Sequence, residues 1–440
     1  MLTRLRIQNF KTFGEQTEFE LRPLTVLTGP NGAGKSSALE SIGLFAQSTP
    51  IPEQPAQFRW NDRLVNLGAN GQSAFHKPDQ DLQLVLGIEI EAGEHLRAWL
   101  RKHNFDADLR AETIGYTVEH RRGSEEWRHH FYLDGELIAT NATMPLGRGV
   151  IKKGQGSFLE YHSRSALERM FTPAVSGNAV LAPKLFVGTR AIGGNEVDEA
   201  TQHTFVGFGL YMSFLIACLK QKIFMLGPSR MPVREAPQAE AGPLSVGRRG
   251  ERTIAVLSVL FAHPRHLAQA RQIQHWAEVF GMGSLTSGWV REELLHAGYL
   301  DSDFDIPLGF ESAGCGAQQV LPIITQIFAA PKNSLILIEE PEAGLHPESQ
   351  AHLARMFAES VRLGHQLVIT THSEALLEGL QGQFAAHTTE SPKLAIYQLK
   401  KTTLGTRLER YLHVASERRG TIEPIDAHSP SVERAHKAHA

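Results

Sequence analysis

The chain has 440 residues, of which 42% are hydrophobic and 21% are charged, a composition typical of two or three folded domains. Its formal net charge of −3 argues against an obligate nucleic-acid binder. A local basic patch on the surface is still compatible with this net charge. Two cysteines, Cys218 and Cys315, argue against a disulfide framework and have no zinc-ligand spacing. No apolar run approaches the roughly 20 residues that cross a bilayer, and the N-terminus has no signal-peptide core. We therefore expect a cytoplasmic protein that makes no membrane contact.

The first fifty residues predict three strands and a helix. Residues 2–19 alternate apolar and polar side chains, which predicts two short strands joined through residues 11–14. We expect this pair to form an antiparallel edge that leads into an apolar strand at residues 24–28. An apolar stripe of 3.6-residue period after Gly34 predicts a helix that ends before Thr49 and packs on a sheet.

Between that strand and that helix lies a sequence that fits the phosphate-loop pattern. Its members are Gly29, Pro30, Asn31, Gly32, Ala33, Gly34, Lys35 and Ser36, and we also assign Ser37 to nucleotide binding. The glycines let backbone N–H groups converge on the β- and γ-phosphates, and the helix N-terminus adds its positive dipole end. Lys35 neutralises phosphate charge, and the Ser36 hydroxyl can ligate Mg²⁺. A glycine-rich turn that arose by chance is the alternative interpretation.

The middle of the chain changes character. Short strands are predicted at residues 82–91, 114–121, 127–133 and 136–140, with a two-residue hairpin turn at Asp134-Gly135. Basic side chains on this stretch could contact a polyanion, but solvated strand faces explain them more simply. Further on, residues 205–224 and 251–280 are predicted to be helical, and residues 228–249 between them read as a long surface loop.

Two carboxylates follow a strand that is apolar on both faces. The run at residues 334–338 predicts a central parallel strand, and Glu339 and Glu340 come directly after it. Open α/β sheets hold their ligands at that edge, where Glu339 can reach Mg²⁺ and Glu340 can orient and polarise the attacking water. A solvated acidic loop is the alternative interpretation.

A strand–helix–strand unit then brings a histidine to the same edge. Pro347 is a good first helical position, and the predicted helix ends at Gly364 before a strand at residues 366–371. The unit is long enough for the crossover between parallel neighbours. His372 follows the second strand, so it should lie near Glu340 and bond a γ-phosphate oxygen.

Four sequence segments, taken in order, resemble the ABC-type ATPase heads of the SMC, RecF and OLD (overcoming lysogenisation defect) group. They are GPNGAGKS, ESAGCGAQQVLP, LILIEEPEAGLHP and VITTHS, which lie in residues 1–50 and 305–375. More narrowly, EEPEAGLHP and GAQQVLP, with MLGPSRMP and VGRRGE upstream, resemble bacterial AAA-family ATP-binding proteins, several of which work in anti-phage defence. In such families the composite site forms between two heads, with the phosphate loop of one facing the signature of the other.

The resemblance implies a role for each matching residue. Lys35 and Ser36 bind nucleotide and Mg²⁺, Glu339 is the Walker B acid, Glu340 is the catalytic base and His372 is the switch histidine. The D-loop at the dimer seam corresponds to Ala343, Gly344, Leu345 and His346.

The signature departs from the usual LSGGQ. Its nearest equivalents, acting on the partner's nucleotide, are Ser312, Gly314, Gly316 and Gln319. Glycines still make sense there, because a backbone approach to a partner's γ-phosphate needs no side chain, and a helix beginning near Ala317 would aim its dipole at that charge. A plain loop before a helix is the alternative. For the glutamine that senses Mg²⁺ in ABC heads, the candidates are Gln47 and Gln72.

These observations together predict an α/β fold. We expect a P-loop NTPase of ABC ATPase type, with a mixed central sheet, an antiparallel β subdomain and a helical subdomain. The predicted division is a first lobe at residues 1–200 with the phosphate loop and a β-rich elaboration, a helical lobe or insertion at 201–310, and a lobe at 311–415 with the signature, Walker B, D-loop and switch histidine. Residues 416–440 are predicted to be a disordered tail.

The leading functional hypothesis is an ATPase, with the reaction ATP + H₂O to ADP + phosphate, that acts as a dimerising switch. ATP and Mg²⁺ would be held in a homodimer or higher homo-oligomer. A separate effector protein or DNA would bind differently to the ATP-bound assembly and to the state after hydrolysis. Anti-phage defence is the expected setting. The segment between the two motif halves shows no sustained heptads, and too few residues follow His372 for a nuclease domain. The alternatives are a RecF-like DNA repair ATPase and a structural scaffold that binds ATP with negligible turnover.

Overall fold

The structure of the protein is a computed structural model. It describes residues 1–48, 58–77, 82–102, 111–124, 126–145, 155–161, 214–215, 218, 222–230, 244–291, 294–301, 304–385 and 393–413.

The strands of these ranges form three sheets. In chain order they are β1 (Leu2–Gln8), β2 (Thr17–Glu20), β3 (Leu24–Thr28), β4 (Gln83–Glu91), β5 (Thr113–Arg121), β6 (Trp127–Leu133), β7 (Glu136–Pro145), β8 (Gln155–Tyr161), β9 (Ile223–Leu226), β10 (Met282–Arg291), β11 (Leu294–Asp301), β12 (Pro307–Gly309), β13 (Leu335–Glu339), β14 (Gln366–Thr371), β15 (Leu394–Thr402) and β16 (Gly405–His413). The α-helices are α1 (Lys35–Gln47), α2 (Gly93–Lys102), α3 (Thr253–Ala262), α4 (Leu267–Val279), α5 (Cys315–Ala329), α6 (Pro347–Arg362) and α7 (Glu374–Ala385).

A six-stranded mixed sheet carries the phosphate loop. Its order is β16-β15-β3-β14-β13-β9, and only β16 runs antiparallel to its neighbour. The strands β13 and β14 are buried along their whole length because helices cover both faces. On one face Ile42 of α1 lies in a core with Leu337 and Val368, and on the other Phe357 of α6 lies in a second core with Ile336.

A seven-stranded antiparallel sheet covers the other side of α1. Its order is β2-β1-β4-β5-β6-β7-β8. The rings of Phe45 on α1 and Tyr116 on β5 meet edge to face, with 5.2 Å between their centroids. All residues from Ser37 to Gln47 are therefore buried between two sheets. This arrangement holds the start of α1, and with it the phosphate loop, in a fixed place.

The third unit is a helical subdomain built around α5. Helices α3 and α4 pack on α5, and α3 also contacts a three-stranded antiparallel sheet of order β10-β11-β12. The buried side of α5, including Ile324 and Ile327, joins the core that lies under α6. The later turns of α5 are thereby packed in the same core as β13, the strand that carries the candidate carboxylates.

The fold class predicted from the sequence is confirmed. The chain is an α/β protein with a mixed central sheet that carries the phosphate loop, an antiparallel β subdomain and a helical subdomain. The strands at residues 24–28, 127–133 and 366–371 have the predicted bounds. The hairpin at Asp134-Gly135 is confirmed, with both residues at positive φ as such a turn requires.

Several local predictions were wrong. The strands β1 and β2 pair antiparallel as predicted, but they belong to the seven-stranded sheet and not to the sheet of β3. Residues 93–102, whose basic side chains were assigned to strand faces, form the helix α2, on which Arg97 and Arg101 pair with Glu94. Residues 223–226 form the parallel strand β9 at one edge of the mixed sheet and not the end of a helix. Their four apolar side chains are buried beside β13.

Three further differences concern breaks and edges. The helix predicted at 251–280 is two helices, since Pro264 starts a 3₁₀ turn between α3 and α4. The strands β10, β11, β12, β15 and β16 were not predicted. The tail at 416–440 and most of the segment 205–221 lie outside the described residues. The predicted lobe boundaries remain predictions.

None of the helices in the described ranges combines the length and the apolar character that a membrane span requires.

One buried side chain joins the two large sheets. Gln366, at the start of β14, accepts a hydrogen bond from the Leu2 N–H at 2.9 Å and donates to the carbonyls of Leu2 at 2.7 Å and Arg22 at 3.2 Å. The side chain is 3% exposed. Because Leu2 begins β1, this amide ties the antiparallel sheet to the mixed sheet.

We predict that Gln366→Leu lowers the melting temperature. The change leaves the buried N–H and C=O of Leu2 without a hydrogen-bond partner. Each unsatisfied group lowers the free energy of unfolding by about 1–3 kcal/mol. Differential scanning calorimetry measures the shift. Gln16→Leu, which removes an exposed amide bonded to Glu18, is the control and should leave the melting temperature nearly unchanged. Equal melting temperatures for the two variants would contradict the prediction.

Candidate active site

The phosphate loop is a tight turn whose glycines cannot be replaced without strain. Gly29 has φ 137° and Gly34 has φ 104°, values that L side chains rarely adopt. A Cβ at Gly29 would strike the carbonyl of Leu399 on β15, and one at Gly34 would lie 2.7 Å from the Thr12 hydroxyl. The exposed tip of the loop is formed by Pro30, Asn31 and Gly32, while Ala33 is buried. The loop therefore exposes main-chain atoms at the edge of the mixed sheet, where a phosphate could approach them.

Lys35 lies at the first position of α1 and points back into the loop. Its ammonium donates to the carbonyls of Gly29 at 2.8 Å and Pro30 at 3.0 Å, and the residue is 6% exposed. Burial lowers the pKa of Lys35, while the charges of Glu340 and Glu342 act in the opposite direction. A buried cation thus stands between the phosphate loop and the acidic residues of the next strands.

Glu339, at the end of β13, is a buried carboxylate surrounded by groups suited to a cation site. Burial raises its pKa, and the opposing influences include a hydrogen bond with Ser36 and the charge of Arg248. One guanidinium nitrogen of Arg248 lies 3.3 Å from Glu339 and 3.1 Å from Glu40 on α1. Glu40 also pairs with Lys11. The Glu339 carboxylate and the Ser36 hydroxyl lie side by side, and as hard oxygen donors they fit Mg²⁺.

Glu340 and His372 come together as predicted from their strand positions. The His372 Nε2 atom lies 3.7 Å from a Glu340 carboxylate oxygen, and both side chains are more than one-third exposed. The backbone of Glu340 has φ 45°, and its N–H donates to the carbonyl of Thr370 at 3.0 Å. Glu342 holds the backbone of His372 in place. Its carboxylate accepts hydrogen bonds from the His372 backbone N–H at 2.9 Å and from the Thr371 hydroxyl at 2.6 Å.

The buried guanidinium of Arg230 holds the turn after β13. It donates to the carbonyl oxygens of Gly227 at 2.9 Å, Glu339 at 3.0 Å and Glu340 at 2.9 Å. This residue lies in the segment that was predicted to be a surface loop, yet it is only 2% exposed. Its backbone carbonyl accepts a hydrogen bond from Gln319 at 3.1 Å.

The predicted signature and D-loop lie against each other. A Cβ at Gly316 would lie 3.2 Å from the carbonyl of Gly344, and one at Gly344 would lie 3.0 Å from the Cys315 sulfur. Ser312 and Gly314 are exposed, and Gly314 is the N-cap of α5, which begins two residues before the predicted start. The two segments therefore form one continuous surface.

The remaining D-loop residues shape the start of α6. The N–H of Ala343 donates to the Glu340 carbonyl, and that of Leu345 donates to the Glu342 carbonyl. His346 is the N-cap of α6 and accepts from the Glu348 N–H through its ring nitrogen.

Three residues predicted to bind nucleotide or metal have other surroundings in the structure. Gln47 is 8% exposed, and its amide donates to the carbonyls of Arg59 and Val65 and accepts from the Val65 N–H. The Gln47 side chain thus holds the loop after α1 in place and is not directed at the cation site. Ser37 is buried and its hydroxyl faces that of Thr12 at 3.5 Å. Gln72 is exposed in a 3₁₀ segment. The role of each as a ligand remains a prediction.

Sequence reasoning missed five charged residues of the site. These residues are Lys11, Glu40, Arg230, Arg248 and Glu342. The segments MLGPSRMP and VGRRGE did contain the two arginines as part of a resemblance, but no role followed from it. The missing signal was spatial, because the carboxylates that face Arg248 lie 91 and 208 residues away in sequence.

Two AAA family profiles match the chain. Residues 193–378 match the family described as "AAA domain, putative AbiEii toxin, Type IV TA system", and residues 4–80 match a second AAA domain family.

Known relatives match shorter stretches. The chain is 52% identical over 42 residues to the chromosome partition protein Smc of Rhodopseudomonas palustris, which is 9% of this chain and 4% of that protein. It is 37% identical over 93 residues to the DNA replication and repair protein RecF of Magnetococcus marinus, which is 20% of this chain and 22% of that protein. The matched part is thus less than a quarter of either relative.

Among solved structures, the Smc head bound to the C-terminal winged-helix domain of ScpA matches with a TM-score of 0.46 and 11% identity, covering 94% of this chain and 98% of that one. The SMC head domain from Thermotoga maritima matches with a TM-score of 0.40 and 10% identity, covering 92% and 97%.

The profile matches bracket the phosphate loop on one side and the carboxylates and histidine on the other, the groups that the mixed sheet brings together. The chain therefore carries two segments that match AAA-domain families, and parts of it are similar to Smc and RecF proteins.

Proposed function

We propose that the protein binds ATP at the phosphate loop and hydrolyses it to ADP and phosphate. The observation that carries the proposal is the Glu340–His372 pair, which lies beside the phosphate loop at the same sheet edge. A site that only bound nucleotide would not need a carboxylate and an imidazole at this point. Both groups are partly exposed and so accessible to water and to a phosphate.

Each residue has a part in the proposed reaction. The loop amides and Lys35 bind and orient the phosphates, while Glu340 accepts a hydrogen bond from the attacking water and polarises it. His372 donates to a γ-phosphate oxygen. Ser36 and Glu339 would hold Mg²⁺, which neutralises charge on the phosphates when bound. Catalysis is then mainly positioning and charge stabilisation.

The surface formed by the signature and D-loop supports a dimeric switch. Ser312, Gly314 and Cys315 are exposed next to the D-loop, so a second copy can place its phosphate loop there. ATP would be enclosed between two heads, and hydrolysis would release them. A separate effector protein reads the change in a defence setting such as anti-phage immunity, and the match to a family described as part of a type IV toxin–antitoxin system is in line with a two-component system of this kind.

A RecF-like role on DNA is the second candidate, supported by the RecF similarity. A DNA-binding dimer would lose affinity steeply as salt rises, because phosphate contacts release counterions. Titration of fluorescent duplex DNA at two salt concentrations separates this role from an effector switch.

We predict that Lys35→Ala abolishes ATP binding, because it removes the buried cation and leaves the phosphate charge uncompensated. Titration with fluorescently labelled ATP measures the affinity. Lys332→Ala, which removes an exposed lysine before β13, is the control and should bind normally. Unchanged affinity in the Lys35 variant would place the nucleotide elsewhere.

We predict that Glu340→Gln keeps ATP binding and slows hydrolysis on the order of 10²–10⁴-fold, since the carboxylate that polarises water is lost while the binding groups remain. Phosphate release measures turnover, and light scattering measures the mass with and without ATP. The ATP-bound dimer should accumulate. A mass that does not respond to ATP would count against the switch, and turnover equal to wild type would count against Glu340 as the base.

We predict that Arg248→Gln moves the acid limb of the pH–activity profile to higher pH. Burial raises the pKa of Glu339, and the positive charge of Arg248 opposes that rise. Without Arg248 the carboxylate stays protonated to higher pH, and a protonated Glu339 cannot ligate Mg²⁺. The measurement is ATP turnover against pH at saturating Mg²⁺. An acid limb at the same or lower pH would mean that Arg248 does not act on Glu339.

A further inference from the structure

Arg230 is the most deeply buried charged group of the candidate site. Among the described residues its guanidinium is enclosed by the end of β9 and the turn after β13, and it donates to three carbonyl oxygens. Burial lowers its pKa to about 10, and the charges of Glu342, Glu340 and Glu339 oppose this shift. It is therefore charged at neutral pH. A buried charge is unfavourable unless it is well paired. We therefore expect a structural role of Arg230 in the position of the groups that it binds.

The group that Arg230 holds is the peptide of the catalytic carboxylate. Glu340 has φ 45°, a region that a residue with a side chain rarely occupies. Its N–H is bonded to Thr370 of β14 and its carbonyl to Arg230. With both ends of the residue fixed, the direction of its Cα–Cβ bond is fixed too, and the side chain starts on the side where His372 lies. A strained residue persists only where its surroundings determine it, and here Arg230 supplies one side.

The same residue is joined to the signature helix. The amide of Gln319, one turn into α5, donates to the Arg230 carbonyl at 3.1 Å. Within the described ranges, the other polar atom of this side chain, Oε1, is buried without a hydrogen-bond partner. Gln319 also lies beside Gly344 of the D-loop. A chain of contacts thus runs from α5 through Gln319 and Arg230 to Glu340.

We propose that Arg230 is a positioning residue for hydrolysis, which fixes the Glu340 peptide and makes its placement depend on α5 through Gln319. The proposal rests on the proposed function, in which α5 faces the partner's nucleotide. When a second head moves α5, Gln319 shifts the Arg230 backbone, and the guanidinium carries that shift to Glu340. Water activation then becomes sensitive to assembly. Lysine cannot replace Arg230, because its ammonium lacks the planar fork that spans three carbonyls.

The first test compares Arg230→Lys with wild type in the full chain. We expect kcat to fall about 10- to 100-fold, the loss typical of a misplaced catalytic group, with KM and the affinity for labelled ATP within about twofold. Arg355→Lys, an exposed arginine on α6, is the matched control and should have wild-type kcat. An unchanged kcat in Arg230→Lys, or a loss of ATP binding equal to the loss of turnover, would overturn the proposal.

The second test does not depend on turnover. Hydrogen exchange of the nucleotide-free protein should become faster at residues 339–345 in Arg230→Lys, because the amides of Glu340, Ala343 and Leu345 lose their fixed turn. If the wild type proves inactive, the proposed function fails, while this measurement still decides whether Arg230 holds the turn. Equal exchange rates in both proteins would overturn the holding role.

The third test addresses the link to α5. Gln319→Met removes the donor at similar volume and leaves the guanidinium in place, so it also serves if Arg230→Lys does not fold. We expect a lower kcat and faster exchange at residues 339–345. In the double variant the two losses should not add, because the residues act in series. Fully additive losses, or a Gln319→Met protein with wild-type kcat and exchange, would overturn the link.

Discussion

The register between three parallel strands is the constraint on which the site depends. Thr28 of β3 pairs with Thr371 of β14, and Thr370 pairs with Glu339 of β13. The phosphate loop, His372 and Glu340 each follow these positions, so they emerge side by side at one edge of the sheet. A slip of one residue in either pairing would turn the side chains to opposite faces and separate the groups. The buried, apolar β13 and β14 make such a slip costly, so the geometry of the site is set by hydrophobic packing.

A second constraint is the balance of charge at this edge of the sheet. Four carboxylates and four cations lie close together there, namely Glu40, Glu339, Glu340 and Glu342 with Lys11, Lys35, Arg230 and Arg248. The buried members of this cluster would be unfavourable alone, because a charge that leaves water must be paired to be tolerated. Lys11 and Arg248 pair with Glu40 and Glu339, while Lys35 and Arg230 donate to backbone carbonyls. Removing one member therefore changes the pKa values and positions of several others.

The sequence predicted the parts of the site that are local in the chain. The phosphate loop, its strand and its helix are encoded within residues 24–47, and Glu340 and His372 were placed by strand positions alone. Arg230 and Arg248 could not be placed in the same way. They lie at the two ends of a segment rich in glycine and proline, which has no periodic pattern, and their partners on and after β13 and on α1 are between 91 and 208 residues distant in sequence. Likewise β9 is too short to show whether it is a strand or the end of a helix.

The two cysteines lie in different environments, and this difference allows one of them to be labelled selectively. Cys315 is exposed at the first position of α5, against Gly344. Cys218 is less exposed, and burial raises the pKa of its thiol, which keeps it protonated and unreactive. A thiol reagent at neutral pH should therefore modify Cys315 first. A fluorophore attached there would sit at the start of the signature helix, without any engineered cysteine, and would report on whatever approaches that surface.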